Sequence, residues 1–292
     1  IEGPAWRLRP PAAVAEEIAT YVRETGYRRF EFVDSTFNVP LAHAKAILRE
    51  LVDRRLGLAL STMGLHPGAV DEELIALMRQ AGFMEICLGV ESGCDATLAG
   101  LGKNFTVATI ERTGRLIRES GIPAMWFLLL GGPGETEATA RESIRVISRL
   151  AAPLDVINVG IGLRAYRGAP VARDMIATDP GLAADNFLHP VAYRPSAIDL
   201  PGLKFLVARE ATRRHNVMMF DDGADILPWF SKFYAWVFPR QPVWRAFAFT
   251  RFLNYFNGVW LVSNLLFNLF AGLIRRGLER RFALPRDPGR TA

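Results

Sequence analysis

Two hydrophobic periods alternate along the first 160 residues. Val14, Ile18, Tyr21 and Val22 recur at helical spacing within residues 12–25, and Gly26 supplies a stop. The strand-like run Phe30-Glu31-Phe32-Val33 follows. Leu41, Ala44, Leu48, Leu51 and Val52 predict a second helix over 41–55, ended near Gly57 and followed by Leu58-Ala59-Leu60-Ser61. Asp71 opens a third helix carrying Leu74, Ile75, Leu77 and Met78 and stopped by Gly82, ahead of Ile86-Cys87-Leu88-Gly89-Val90. Thr106 caps a helix through Ser120, with Gly121 behind it, and residues 125–130 form an apolar run. A last helix over about 135–150 leads to Val156-Ile157-Asn158-Val159.

The strand runs are almost continuously apolar, as buried parallel strands are. Alternation with helices roughly every 30 residues is the rhythm of βαβ steps, so the class is α/β. Five strands do not close an eight-stranded barrel, and the expected architecture is an open arc or a barrel missing a piece.

Ligands of such sheets bind beyond the carboxyl ends of the strands. The segments there read Asp34-Ser35-Thr36-Phe37-Asn38, Thr62-Met63-Gly64, Glu91-Ser92-Gly93, Gly131-Gly132-Pro133-Gly134-Glu135-Thr136 and Arg164-Ala165-Tyr166-Arg167-Gly168. Gly131, Gly132 and Gly134 permit close backbone approach to a ligand, though such a loop can also merely turn the chain. Glu91 and Glu135 can accept hydrogen bonds from hydroxyl or ammonium groups. No Gly-Lys-Ser/Thr follows the glycines, which excludes a Walker phosphate loop.

Half of the 292 residues are apolar and 22% are charged, which excludes wholesale disorder. Cys87 and Cys94 cannot staple a secreted scaffold, so a reducing, cytoplasmic setting is expected. The chain opens on Ile-Glu-Gly-Pro-Ala-Trp, with no initiator Met or signal pattern, and is expected to begin mid-protein. The net charge of +5 is uneven: residues 204–292 carry 14 Lys/Arg against 6 Asp/Glu, and 17 of the 31 aromatics lie between Phe220 and Phe282. Three parts are expected: a barrel region 1–172, a Pro/Asp/Gly-bearing linker 173–203, and a basic, aromatic-rich, mostly helical region 204–292.

Taken in order, Phe32-Val33-Asp34-Ser35-Thr36-Phe37, Gly89-Val90-Glu91-Ser92-Gly93, Leu101-Gly102-Lys103 and Gly131-Gly132-Pro133-Gly134-Glu135-Thr136 resemble the radical S-adenosylmethionine (SAM) superfamily. Within it they are most similar to the subgroup that often carries an upstream cobalamin-binding domain, and Tyr166-Arg167-Gly168-Ala169-Pro170 resembles its turn after strand six. The resemblance covers about residues 1–172. It implies a partial (β/α)6-type open barrel lacking its first strand, with residues 2–11 following the segment where the family holds a [4Fe–4S] cluster through Cys-x-x-x-Cys-x-x-Cys. Cys87 and Cys94 do not match that motif, so no metal ligand is assigned and the chain by itself is expected to be inactive. His43, His66, His189 and His215 have no paired ligand spacing either.

The resemblance implies roles residue by residue. Glu91 and Ser92 would contact the SAM ribose or amino group. Gly131, Gly132, Gly134 and Glu135 would line its adenine and methionine end, and Lys103 would meet its carboxylate. Asp34 and Asn38 would bind substrate, against the plainer reading of Asp34-Ser35-Thr36 as a capping turn. Met63 stands where many relatives carry an arginine. The implied chemistry is reductive cleavage of SAM to a 5′-deoxyadenosyl radical, with an electron donor for the cluster, a small-molecule substrate, and cobalamin-dependent methyl transfer or ring chemistry as outcomes.

The C-terminal region has other properties. Six aromatics crowd residues 229–238, and residues 252–274 form a 23-residue run without Lys, Arg, Asp or Glu. Asn254, Asn257, Asn264 and Asn268 fall on one helical stripe about 80° wide. The expectations are an in-plane helix on an anionic membrane surface, a true span, or a helix packed on the barrel. The basic residues form no dense stripe, so nucleic acid is an unlikely partner. The alternative function is a non-catalytic, membrane-associated interaction module on a degenerate barrel.

Overall fold

The apolar stripes form helices whose ends are set by local chemistry. In the computed structural model, which describes residues 7–179, 182, 191–219, 234–239, 241–242 and 244–245, the chain runs α1 (Pro11–Thr25), β1 (Arg29–Phe32), α2 (Leu41–Arg54), β2 (Ala59–Thr62), α3 (Glu72–Ala81) and β3 (Ile86–Glu91). It continues through α4 (Asp95–Gly100), α5 (Val107–Ser120), β4 (Ala124–Leu130), α6 (Glu137–Leu150) and β5 (Val156–Ile161). Then follow β6 (Arg164–Ala165), α7 (Pro170–Thr178), β7 (Val191–Ala192), α8 (Leu200–Arg213) and β8 (Val217–Met219). Asp71 caps α3 by accepting from the Leu74 amide at 2.8 Å, and Thr106 and Thr136 cap α5 and α6 through reciprocal bonds with Thr109 and Thr139. Gly82 ends α3 at φ +96°, and any Cβ there would lie 2.2 Å from the Leu58 carbonyl oxygen, so only glycine fits.

The main strands are parallel and stand in chain order. β1 pairs with β2, and β3, β4, β5 and β8 form one ladder. Bridges between Leu60 and Phe83 and between Leu65 and Leu88 join the two sets. Unreversed order with right-handed crossovers puts the covering helices on one face. Accordingly α1 packs on α2, α2 on α3, α3 on α5, α5 on α6 and α6 on α8. The result is the expected open arc; among the described residues β1 and β8 do not pair with each other.

Alternation along the strands separates the two faces. Ala124, Trp126, Leu128 and Leu130 of β4 are buried beneath the helices, with Ile86, Leu88, Val90, Ile157 and Val159 beside them. Trp126 keeps its indole N–H satisfied at 3.3 Å from Asp155 Oδ2, and Asp155 also accepts from the Ala124 and Ala152 amides. Met125, Phe127 and Leu129 face the concave side.

The structure departs from the sequence expectations beyond residue 172. Residues 170–178 are helical, and α8 crosses the expected boundary at 203/204. Leu203, Leu206, Val207 and Ala211 bury a helical stripe in the core of the arc, and β8 adds a sixth parallel strand beside β5. The Pro, Asp and Gly content that reads as a linker includes the cap and first turn of α8: Asp199 accepts from the Gly202 amide at 2.7 Å, and Pro201 occupies a position where no N–H is needed.

Part of the aromatic region packs on the amino ends of the strands. The Trp244 indole donates to Glu85, Arg29 donates to the Pro239 carbonyl at 3.1 Å, and Arg245 donates to the Leu154 carbonyl at 3.4 Å. Tyr234 is buried, while Trp236 and Phe238 are exposed. The uncharged run 252–274 and its amide stripe lie outside the described residues. Among the described residues no helix is long and apolar enough to cross a membrane.

Candidate functional site at the carboxyl end of the arc

β3 ends on an irregularity that sets the site. Its pairing with β4 slips between Gly89, opposite Phe127, and Glu91, opposite Leu128. Glu91 takes φ +60°, a left-handed conformation that costs a side-chain-bearing residue about 1–2 kcal/mol. The turn folds the carboxylate back over the concave side, where Oε1 lies 3.6 Å from the place a Cβ on Gly89 would occupy. Lys103 Nζ reaches that oxygen at 2.9 Å, and both side chains stay partly exposed.

The Lys103 loop is tied to the loop after β2. His66 Nδ1 accepts from the Gly68 amide at 3.0 Å, so in the neutral ring Nε2 carries the proton and donates to Asn104 Oδ1 at 2.8 Å. The His66 ring meets Phe105 edge-on at 5.1 Å. Behind it, Asn38 is fully buried and spends its amide on three bonds: Nδ2 donates to the His66 and Ala69 carbonyls at 2.9 and 2.7 Å, and Oδ1 accepts from the His66 amide at 2.8 Å.

The glycine loop is also held from within. Glu135 is buried; its carboxylate accepts from Thr139 Oγ1 at 2.5 Å and from the Gly131 amide at 3.3 Å. Burial pushes this carboxyl above its ordinary range, against the lowering effect of those two bonds. A Cβ on Gly132 would lie 2.6 Å from Leu101, whereas Gly134, at φ +77°, has nothing within 4 Å.

The expected site residues therefore divide. Glu91 and Lys103 come together at the mouth; Asp34 is exposed just past β1, and Gly134 offers open backbone. Ser92 is buried toward the helices, 2.8 Å from Ser143 Oγ and accepting from the Cys94 amide at 3.1 Å. The side chains of Ser92, Asn38 and Glu135 are thus committed to the protein, because a loop that must hold a strained Glu91 needs its own buried polar groups satisfied.

Below the mouth the concave face has two more rows. In the middle row Gly89, Phe127, Asn158 and Met218 lie side by side across β3, β4, β5 and β8. In the lower row stand Cys87, Met125 and Val156; Met125 and Trp244 both pack against the cluster of Val156 and Met218. Burial, with Glu85 and Glu31 nearby, raises the Cys87 thiol far above its ordinary value. Past β1 and β2, Val33 and Met63 are 72% and 57% exposed at the open side of the mouth. The sequence leaves His66 unassigned and does not single out Asn104 or the middle row, for which Asn158, one polar residue in an apolar strand, is the signal available.

A [4Fe–4S] cluster does not fit these residues. It needs three or more grouped thiolates. The chain has two cysteines, one inside a buried strand, and among the described residues no three His, Cys, Asp or Glu are placed to hold a metal ion.

Comparison with known proteins places this geometry. Tryptophan 2-C-methyltransferase of Streptomyces laurentii is 28% identical over 214 residues, which cover 66% of this chain and 35% of the relative. Anaerobic magnesium-protoporphyrin IX monomethyl ester cyclase of Rubrivivax gelatinosus is 27% identical over 148 residues, covering 48% of this chain and 26% of the relative. The chain thus spans about a third or less of the length of these curated relatives. Among solved structures, the radical S-adenosylmethionine methyltransferase TsrM from Kitasatospora setae, with cobalamin and [4Fe–4S] cluster bound, matches with TM-score 0.67 at 24% identity over 83% of this chain and 54% of that one. The cobalamin-dependent S-adenosylmethionine radical enzyme OxsB matches with TM-score 0.51 at 12% identity over 92% of this chain and 45% of that one. Both share the fold. The family model of the radical SAM superfamily matches residues 2–147, half of the chain and the stretch that runs from α1 through Glu91, Lys103 and the glycine loop into α6; the chain belongs to that superfamily.

Proposed function

We propose that this chain supplies the SAM-binding arc of a radical SAM enzyme that modifies a small organic molecule by cobalamin-dependent methyl transfer or ring chemistry. The observation that carries the reading is Glu91, held at φ +60° beside Lys103 in the mouth of the arc. Strain of this kind persists where surrounding structure enforces it, and here the result is a carboxylate and an ammonium facing one opening. Glu91 accepts from a ribose hydroxyl or from the SAM ammonium, and Lys103 exchanges its bond to Glu91 for the SAM carboxylate. Gly134 lets the backbone approach the ligand, and the apolar rows below exclude water. The residues of this chain do not hold the cluster, so their part is binding and orientation. The relatives named for methyl transfer and for a cyclase support the reaction class.

Calorimetric titration of the intact chain with SAM tests this. We expect weak binding by the wild type and at least about tenfold weaker binding by Glu91→Ala, since a hydrogen bond to a charged group contributes about 1.5–3 kcal/mol. Indistinguishable heats from the two proteins would remove Glu91 from the site.

A further inference from the structure

We infer that His66 is a positioning residue: through Asn104 it holds the loop that aims Lys103 at the SAM carboxylate. The inference rests on the reading of Glu91 and Lys103 as SAM-binding residues, and adds the residue that sets how well the mouth distinguishes a ligand with that carboxylate from one without it.

The base under His66 is rigid. Asn38 is fully buried and bonds both the amide and the carbonyl of His66. His66 caps the short turn Pro67–Ala69, and α5 fixes that turn from the other side. Thr113 Oγ1 donates to the Pro67 carbonyl at 3.0 Å, and Arg112 donates to the Val70 carbonyl at 3.0 Å. The ring itself is held by the Gly68 amide at Nδ1 and by the edge of Phe105. An imidazole fixed in this way presents its Nε2–H in a set direction.

The Lys103 loop takes its orientation from that arm. Its own backbone bonds run back to α4: the Leu101, Gly102 and Lys103 amides donate to the Thr97, Ala99 and Leu98 carbonyls. Among the described residues one hydrogen bond joins residues 101–104 to the loop after β2, and it is the 2.8 Å bond between His66 Nε2 and Asn104 Oδ1. Asn104 is the next residue after Lys103, whose Nζ stands 2.9 Å from Glu91 Oε1. A lysine carries its charge on a flexible stem, so it meets a ligand carboxylate efficiently only when the backbone beneath it stays in place. Capping of the turn uses Nδ1 alone. The bond at Nε2 serves no cap and bears on the Lys103 loop.

Two ligands and three substitutions separate these roles. SAM and decarboxylated SAM share the adenosine, the sulfonium and the ammonium, and differ in the carboxylate. His66→Asn keeps an acceptor for the Gly68 amide and is too short to reach Asn104, whereas His66→Gln reaches Asn104 and gives up the cap. Calorimetric titration of the intact chain should show a wild-type preference for SAM of at least about tenfold, as a hydrogen bond between charged groups provides. His66→Asn should melt like the wild type, bind decarboxylated SAM equally well, and lose at least about threefold of the preference, the share of one ordinary hydrogen bond. Asn104→Ala, at an exposed position, should behave the same way. His66→Gln should melt lower and keep the preference. An unchanged preference in His66→Asn and Asn104→Ala, or a loss in them that strikes both ligands equally, would overturn the positioning role. So would a preference lost in His66→Gln and kept in His66→Asn. A wild type that binds the two ligands alike, or neither, would sink the reading of the mouth and this inference with it.

Discussion

Replacing Gly93 with alanine tests how tightly the loop after β3 is clamped to α6. Gly93 has no positive φ, so alanine meets no backbone strain there, and the lower entropy of the unfolded chain favours it by about 0.4–1 kcal/mol. The packing opposes it. The new Cβ would lie 2.9 Å from Ser143 Cα, 2.9 Å from Val146 Cβ and 3.0 Å from the Ser143 carbonyl oxygen. Two of those three atoms are helix backbone, so α6 itself must move. Overpacking of this kind costs about 1–3 kcal/mol. The same movement stretches the buried Ser92–Ser143 bond of 2.8 Å, worth about 1 kcal/mol more. The expected net loss is about 2 kcal/mol, which in urea lowers the unfolding midpoint by about 1 M at a slope near 2 kcal/mol/M. Gly102→Ala is the control: it has φ +67° and open space, so it loses only the left-handed backbone term of about 1–2 kcal/mol. Urea titrations followed by circular dichroism compare the three proteins. A Gly93→Ala protein as stable as the wild type would refute the clamp. SAM affinity should fall in that variant too, because Glu91 lies two residues upstream.

Two further predictions concern buried carboxyl groups. Glu135 has its folded-state value raised by burial, so its contribution to stability is full below its ordinary value of 4.5 and is lost as pH rises through the raised value. Glu135→Gln cannot ionise and should flatten that part of the stability–pH curve, while Glu85 and Asp155, raised by burial as well, keep the remainder; a curve with unchanged slope contradicts the assignment. Asp155→Ala leaves the Ala124 and Ala152 amides and the Trp126 indole without their acceptor and should cost roughly 3 kcal/mol or more, whereas Asp155→Asn retains an acceptor and should cost less; equal melting temperatures for the two variants would argue against the network.

Much of the arc was legible because its elements advertise their period. The helices from α1 to α3, α5 and α6 lie within a few residues of their expected spans, and each main strand up to β5 falls on its expected run, shifted by about one residue at β1 and β2. What escaped notice had mixed signals. α8 begins with Leu-Pro-Gly, which reads as a turn, and its stripe of Leu203, Leu206 and Val207 gains meaning only against the core it fills. β8 is three residues long, too short for any period to show. At the site, Glu91 and Lys103 are readable as polar loop residues, but neighbouring Ser92, expected beside Glu91, turns toward the helices. The slip in pairing between β3 and β4 decides that, and a register is a property of two strands.

By itself, the sequence determined the helix–strand alternation, the places where loops fall at strand ends, and the family those loops belong to. Local periodicity and short-range capping act within a turn or two of chain, so they survive without knowledge of distant partners. Only the tertiary structure decided which polar side chains stand at the mouth of the arc and which are spent inside. Asn38 is consumed by carbonyls 28 and 31 residues away, Ser92 by a serine 51 residues away, and Glu135 by its own loop. Asn158 Oδ1 is buried without a hydrogen-bond partner, because no strand or helix among the described residues brings a donor to it. A buried polar group must find its partner somewhere in space, and sequence distance carries no record of where.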